Sequence, residues 1–351
     1  MTSMPRVVRF AAPRTLEVID EKALPLGPDD VRVRTLFSGI SAGTELTAFR
    51  GTNPYLAKQW DDELRLFRDG AGTFEYPLDG WGYEEVGEVV ELGSAVGRDS
   101  GVAIGDRVWG TWGHRSETVL SAATARRHIL DPGADPRIGM FSQMGGIALN
   151  VVLDGDIHIG ETVAVFGLGV PGQLAAQLAR LNGARVIAID GVASRRELAR
   201  RLGAEVVLDP GETSVAEHIR ELTDGRGADV CLEVTGSYAA LHEAIRSVAY
   251  SSRICVAGFM QGEGAGLRLG EEFHHNRVQL VGTQISGVAP ALQHRWNRDR
   301  LDATAITLAV DGRLAVTDLI TSTFSLEDAA QAFALLDAGA ADQLQVVLEV
   351  G

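Results

Sequence analysis

Between Val163 and Gly172 the chain reads VAVFGLGVPG, an apolar run that ends in glycines at 167, 169 and 172. The spacing is G-x-G-x-x-G, and an acid, Asp190, closes the next apolar run, RVIAID, 23 residues after the first glycine. Each residue type has a physical task in holding a dinucleotide. Gly167 permits a tight turn, Gly169 lets backbone approach a pyrophosphate, and Gly172 allows a helix to pack against the strand. Val170 opens that helix, whose first N–H groups and positive dipole end attract phosphate. Asp190 would accept hydrogen bonds from the adenosine ribose, and its charge would repel a 2′-phosphate. Strand, glycine turn, helix and distant acid together are far more specific than the glycines alone, and they imply NAD as cofactor.

A sheet must present that turn, and the middle third of the chain supplies one. GQLAAQLARL places Leu174, Leu178 and Leu181 on one helical face. After RVIAID come a helix capped by Ser194 and ending at Gly203, strand EVVLD, helix SVAEHIRELTDG, strand ADVCLEV and helix YAALHEAIRSV. Strands RICVAGF and VQLVGTQI close the series. Strands alternating with helices predict an α/β fold with a doubly wound parallel sheet, a Rossmann domain over residues 151–287. Thr235 and Gly236, and then Gly258 and Phe259, stand at carboxyl ends of parallel strands, where ligands bind in such sheets. Arg195 and Arg196 follow Asp190 and could contact the adenosine phosphate; for Arg196 a helix surface charge is the other reading.

Composition narrows the class. At 351 residues the chain exceeds what one core usually supports, which predicts two domains. A net charge of −15 excludes a nucleic-acid partner, since phosphate binding needs a basic face. Neither a membrane-length apolar run nor a signal-peptide core is present, so a cytoplasmic protein is expected. Cys231 and Cys255 lie inside strand-like runs and read as small buried hydrophobes, not as a disulfide or metal site.

The first 150 residues have another character. Short alternating runs such as RVVRFAA, DDVRVRTLFSGI, EEVGEVVELG and SETVLSA, punctuated by Gly and Pro, predict a mostly β domain, a distorted barrel. Gly51 to Tyr76 reads as an inserted helix and loop. Helix LEDAAQAFALLDAGA and strand LQVVLEV end the chain, and the last strand is expected to return to the barrel. The domains are then 1–150 with 288–351, and 151–287.

This order, with SGISAGTEL (Ser38–Leu46), GYEEVGEVVELG (Gly82–Gly93), IGDRVWG (Ile104–Gly110) and the glycine unit, resembles the medium-chain dehydrogenase/reductase superfamily, the alcohol and polyol dehydrogenases. The resemblance covers nearly the whole chain and implies a GroES-like catalytic domain. The S-G-I-S-x-G-T-E segment also looks like that of the hydroxyethyl-chlorophyllide dehydrogenases. In zinc-dependent members a cysteine, a histidine and a third Cys or Glu hold catalytic zinc; alignment places Ser41, Tyr83 and Gln143 there. Hydroxyl, phenol and amide are poor zinc ligands. A four-cysteine structural zinc lobe is also missing, since the chain has two cysteines, both elsewhere. The reading is a zinc-independent member.

Hydride transfer without a Lewis acid needs a side chain to handle the hydroxyl proton. The candidates stand where the metal would have been: Ser41, Thr44, Tyr83, Glu84 and Gln143, with His114 in a barrel loop that follows the G-D-R-V strand and could face the cleft. Thr44 corresponds to the proton-relaying hydroxyl of the zinc enzymes. Tyr83 suits a neutral donor, and would need a neighbouring positive charge, such as the nicotinamide, to act as a base. Filling a vacated metal cavity is the other reading of Tyr83 and Ser41. His274 and His275 precede the last Rossmann strand and are further relay candidates, and Trp112 is either a stacking wall for a sugar ring or core.

The expected activity is NAD-dependent oxidation of a secondary alcohol of a sugar, polyol or cyclitol, or the reverse. Reduction of an activated C=C bond, as in the zinc-free quinone and enoyl reductases, and NAD binding without catalysis are the alternatives. A homodimer or homotetramer is expected by resemblance, with edge strand VQLVGTQI as the pairing element.

Overall fold

The computed structural model describes residues 4–350 and divides the chain into two units. One comprises the residues up to Gln143 together with those from Ile320 onward; the other is Met144–Leu319. These boundaries differ from the expected ones, because residues 144–150 and 288–319 belong to the second unit. Small residues explain the difference. A Cβ on Gly145 would lie 2.5 Å from that of Ala305, and one on Gly146 would lie 2.0 Å from Asp302 Oδ1, so the glycines admit the helix Arg298–Val310 at close range.

In the first unit, alternation of apolar and polar residues gives strands with one buried face. β1 (Arg6–Ala12) and β2 (Thr15–Asp20) pair antiparallel. β3 (Asp30–Ile40) runs directly into a turn and α1 (Glu45–Arg50). The segment expected to be a helix and loop is instead a one-turn helix, α2 (Pro54–Ala57), and a hairpin of β4 (Lys58–Asp61) and β5 (Leu66–Asp69). Asp61 decides this: its Oδ1 accepts the N–H groups of Glu63 and Leu64, an Asx turn that competes with helix. β6 (Leu78–Asp79) joins β1. β7 (Glu85–Leu92), β8 (Arg107–Gly110), β9 (Glu117–Ser121) and α3 (Ala122–Arg127) follow.

The second unit begins in α4 (Ser142–Asp154) and continues β10 (Thr162–Phe166), α5 (Val170–Leu181), β11 (Arg185–Ile189), α6 (Ala193–Arg201) and β12 (Val206–Leu208). α7 (Val215–Leu222), β13 (Ala228–Glu233), α8 (Tyr238–Ser247), β14 (Val248–Val256), β15 (Gln279–Gly282) and α9 (Arg298–Val310) complete it. The sheet is parallel, in the order β12-β11-β10-β13-β14-β15. Its direction of growth reverses beside β10, the place where such sheets bind ligands. Ile187, Ile219, Leu241, Ile245 and Cys231 are buried between helices and sheet, and Cys255 is buried as well. α6 starts one residue before the expected cap: Asp190 Oδ1 takes the Val192 N–H at 2.8 Å and sets the turn ahead of Ser194.

The chain then re-enters the first unit as β16 (Ile320–Ser325), α10 (Ala329–Asp337) and β17 (Gln345–Glu349), giving the order β16-β17-β3-β7-β8 with β9 also on β3. Phe333 of α10 packs against Phe10 and Phe49, each ring contributing roughly 1.5–3 kcal/mol by burial. Among the described residues no helix is long and apolar enough to cross a membrane.

Candidate active site

The glycine turn after β10 has the shape its sequence requires. Gly167 has φ +93°, and a Cβ there would lie 2.6 Å from Thr235 Cγ2. A Cβ on Gly172 would lie 1.8 Å from the Gly167 carbonyl oxygen, so the helix closes on the turn only with glycine at 172. At Gly169 the nearest atom to such a Cβ is 3.9 Å away, and no side chain caps α5 there. Open space at an uncapped helix N-terminus fits a pyrophosphate. Asp190 braces the turn: its Oδ2 accepts the Leu168 N–H at 2.7 Å while Oδ1 holds Val192. Arg195 Nη1 lies 3.9 Å from Asp190 Oδ2, and Arg196 donates to the Asp190 carbonyl and pairs with Asp209.

Thr235, Gly236 and Gly258 meet at the ends of β13 and β14, where a Cβ on Gly258 would fall 2.1 Å from the Gly236 nitrogen. Glu233, absent from the sequence-based set, anchors that corner. Fully buried, it accepts from the Thr235 N–H at 2.7 Å and from the Thr235 hydroxyl. Burial pushes its carboxyl up, against the pull of the Thr235 and Gly236 hydrogen bonds. Its signal in the sequence is an acid that ends the strand directly after the apolar run Val230–Leu232.

In the first unit, four of the residues expected to handle protons gather in one place. The Ser41 hydroxyl and the Tyr83 phenol are directly hydrogen-bonded, and the Thr44 hydroxyl also bonds the phenol. Burial raises the Tyr83 pKa, Glu84 and Glu45 raise it further, and the bonds from Ser41 and Thr44 only partly offset this. Tyr83 therefore stays protonated and is a donor, not a resting base. Glu84 is fully buried with neither carboxyl oxygen in a hydrogen bond. It occupies space left by Gly39, where a Cβ would stand 2.5 Å from Glu84 Oε2 and 2.8 Å from Gln345 Nε2. Burial, then Glu45 and Glu85, push its pKa well up, the Gln345 amide opposing, so it is a neutral acid.

His114 lies beneath them, fully buried. Its Nε2 is 2.7 Å from Glu45 Oε2 and its Nδ1 is 2.7 Å from Ser38 Oγ. Glu45 Oε1 accepts the Ser41 N–H at 3.1 Å. Ser38 stands opposite Glu85 in the β3–β7 register and donates to its Oε1 at 3.1 Å; Glu85 Oε2 takes the Trp112 N–H at 2.6 Å. Burial disfavours a charged His114 ring, yet the adjacent Glu45 carboxylate, with Glu85, outweighs it and the net shift is upward. Ser38, Glu45, Glu85 and Gln345 were not singled out in the sequence. The only hint was a cluster of acids, G-T-E and Y-E-E, in a β domain.

The other candidates have different surroundings. Gln143 is buried in the first turn of α4. Trp112 is core, not a stacking wall: it is 9% exposed and its indole N–H bonds Thr35 Oγ1 at 2.9 Å. His274 and His275 are exposed in the second unit, where His275 Nδ1 meets the Glu271 carbonyl. Zinc does not fit the donor set. Ser41 and Tyr83 offer neutral hydroxyls already bonded to each other, and among the described residues no group of three or more His, Cys, Asp or Glu is arranged to hold a metal ion.

Residues 171–302 match the zinc-binding dehydrogenase family, a span lying wholly within the second unit and so silent about Ser41 and Tyr83. The D-guloside 3-dehydrogenase of Escherichia coli K12 is 32% identical over 316 residues, covering 88% of this chain and 89% of that protein. The chain belongs to the medium-chain dehydrogenase/reductase superfamily. The fold of this superfamily member agrees with an alcohol dehydrogenase from Escherichia coli CFT073 complexed with NADH (TM-score 0.75, 19% identity, 99% and 100% coverage). It agrees equally with a zinc-binding dehydrogenase from Sinorhizobium meliloti 1021 bound to NADP (TM-score 0.75, 23% identity, 99% and 100% coverage).

Proposed function

We propose that this protein is an oxidoreductase that uses a nicotinamide cofactor, NAD, to interconvert a secondary alcohol of a sugar, polyol or cyclitol with the ketone, without zinc. The observation that carries the reading is the 32% identity, across 88% of the chain, to a dehydrogenase named for position 3 of D-guloside. Asp190 beside the glycine turn supports NAD, because its carboxylate repels a 2′-phosphate. The Ser41–Tyr83 pair at the positions of missing zinc ligands supports side-chain proton handling.

The cofactor, when bound, supplies the hydride acceptor or donor. The chain supplies the proton chemistry. In the direction of carbonyl reduction, the protonated Tyr83 phenol donates to the carbonyl oxygen, and Ser41 Oγ and the Thr44 hydroxyl hold the phenol in line. Oxidation is the reverse and needs the phenolate: the phenol first passes its proton out through the Ser41 hydroxyl, and the oxygen so freed takes the substrate hydroxyl proton as the C–H bond breaks. Buried neutral Glu84 keeps a second proton beneath the pair.

Elemental analysis of the purified protein comes first, then NAD reduction with methyl hexopyranosides, acyclic polyols and inositols before and after chelation. The expected result is below about a tenth of a zinc per chain, with turnover that survives the chelator. Near-stoichiometric zinc with chelator-sensitive turnover overturns the zinc-free mechanism. Tight NAD binding with no turnover on any alcohol overturns the enzyme reading.

A further inference from the structure

Three segments far apart in sequence meet at one imidazole ring. On one side His114 Nε2 bonds Glu45 Oε2, and the other oxygen of the same carboxylate holds the Ser41 N–H, so a single side chain separates the ring from the backbone of Ser41. On the second side lies Gly82, the residue before Tyr83: a Cβ there would sit 2.9 Å from His114 Cε1 and Nε2, so the ring underlies the backbone that carries the phenol only because residue 82 is glycine. On the third side Nδ1 meets Ser38 Oγ, which donates onward to Glu85. The edge of Phe333 closes the remaining approach, and the ring has no exposed surface.

The hydrogens bear on the charge of the ring. The Ser38 hydroxyl has one hydrogen, spent on Glu85, so the 2.7 Å contact to His114 needs a hydrogen on Nδ1. The 2.7 Å contact to an ionised Glu45 needs one on Nε2. With Ser38 donating to Glu85, the pattern closes around an imidazolium, the direction in which Glu45 and Glu85 draw the ring against its burial. Such a cation between buried carboxylates is costly to disrupt, since removing it strands a carboxylate in the interior.

We propose that His114 is a positioning residue: an imidazolium that, through Glu45 to Ser41 and through Gly82 to Tyr83, sets the hydroxyl and phenol against each other without touching substrate. The inference rests on the reading of Ser41–Tyr83 as the proton-handling pair.

The test is a cycle of His114→Gln and Tyr83→Phe in the full chain, assayed by NAD reduction with the hexopyranoside, polyol or inositol that the wild-type protein turns over. A small misplacement of reacting groups costs on the order of 100-fold, so His114→Gln should lower kcat by about that factor with alcohol KM and NADH affinity within about twofold of wild type. In the Tyr83→Phe background the same substitution should cost nothing further. An equal loss in both backgrounds overturns the proposal, because a purely structural histidine is needed with or without the phenol. No loss from Tyr83→Phe alone indicts the parent reading instead. If His114→Gln does not fold, Ser38→Ala, which removes one hydroxyl, must reproduce the pattern at smaller size; unchanged kcat overturns it. Nitrogen-15 NMR of labelled histidine gives an independent readout: both His114 nitrogens should be protonated in the resting protein at pH 8, and a neutral ring there contradicts the imidazolium.

Discussion

The two units solve their chemical tasks with different materials. In the second unit the features proposed to hold a dinucleotide are backbone: a turn at φ +93°, a helix end without a cap, and glycines at which a Cβ would fall 1.8–2.6 Å from a neighbour. In the first unit they are side chains, held by contacts between residues 69 and 76 positions apart in the case of His114. Backbone sites bind and orient; buried side-chain networks tune protonation. The contrast predicts that variants in one unit change affinity and variants in the other change chemistry.

The largest effect should come from the phenol. Tyr83→Phe removes one oxygen that bonds Ser41 and Thr44, and loss of a general acid typically costs 10²–10⁴-fold, so kcat should fall by about 100-fold or more. NADH affinity, measured by fluorescence titration, should not move. A Tyr83→Phe enzyme with weakened NADH binding and intact kcat would break the division between the units.

Gly172→Ala is the reciprocal case. The added methyl meets the Gly167 carbonyl at 1.8 Å, and overpacking of this kind costs about 1–3 kcal/mol. Dinucleotide affinity should drop by about 10- to 100-fold, with kcat at saturating NAD largely kept. Normal affinity would mean that the turn yields more readily than its close contacts imply.

These two sites also differ in how far they could be read from sequence. Local backbone demands leave a local signature: Gly167, Gly169, Gly172 and Asp190 fall within 24 residues and are recognisable without a fold. The alternation of strands and helices in the same third is equally local. Ser41, Tyr83 and Glu84 were found by resemblance to metal-binding positions, but Ser38, Glu45, Glu85 and Gln345 become a network only through the pairing of β3 with β7 and β17. Register is a long-range property, and no run of residues records it. Trp112 shows the same limit. An aromatic beside a candidate histidine suits a sugar wall or a core, and only burial against Val31 and Val33 with a bond to Thr35 decides. The domain boundary at 319/320 escaped because it depends on α9 fitting two glycines of α4.

A smaller effect tests the nucleotide half more finely. Asp190→Ala removes the acceptor of the Leu168 and Val192 N–H groups together with the charge that disfavours a 2′-phosphate. Loss of a charged hydrogen bond costs about 1.5–3 kcal/mol, so kcat/KM for NAD should fall by about tenfold or more. The value for NADP should hold or rise, with Arg195 beside the new space. A parallel fall with both cofactors would assign Asp190 to bracing the turn and not to discrimination.

The smallest effect concerns stability and probes why the first unit keeps a buried acid beside two others, Glu45 and Glu85. Burial, then Glu45 and Glu85, raise the Glu84 pKa well above the ordinary 4.5, with the Gln345 amide opposing. The sign follows from linkage. Below its unfolded-state pKa the carboxyl is protonated in both states and costs nothing. As pH rises above that value the unfolded chain releases the proton while the folded chain retains it, so stability declines steadily until the raised folded pKa is passed. Glu84→Gln keeps the shape and never ionises, so it should match wild type near pH 4 and exceed it at pH 8, by on the order of 2–4 °C in Tm for each kcal/mol. Thermal unfolding at the two pH values, with kcat measured alongside, separates the possible reasons for the acid. A variant that is more stable at pH 8 but slower in turnover shows a carboxyl retained for chemistry at the expense of stability. Equal Tm at both pH values would mean that Glu84 ionises as it does in the unfolded chain, and that its burial is relieved by a partner acting on it in solution.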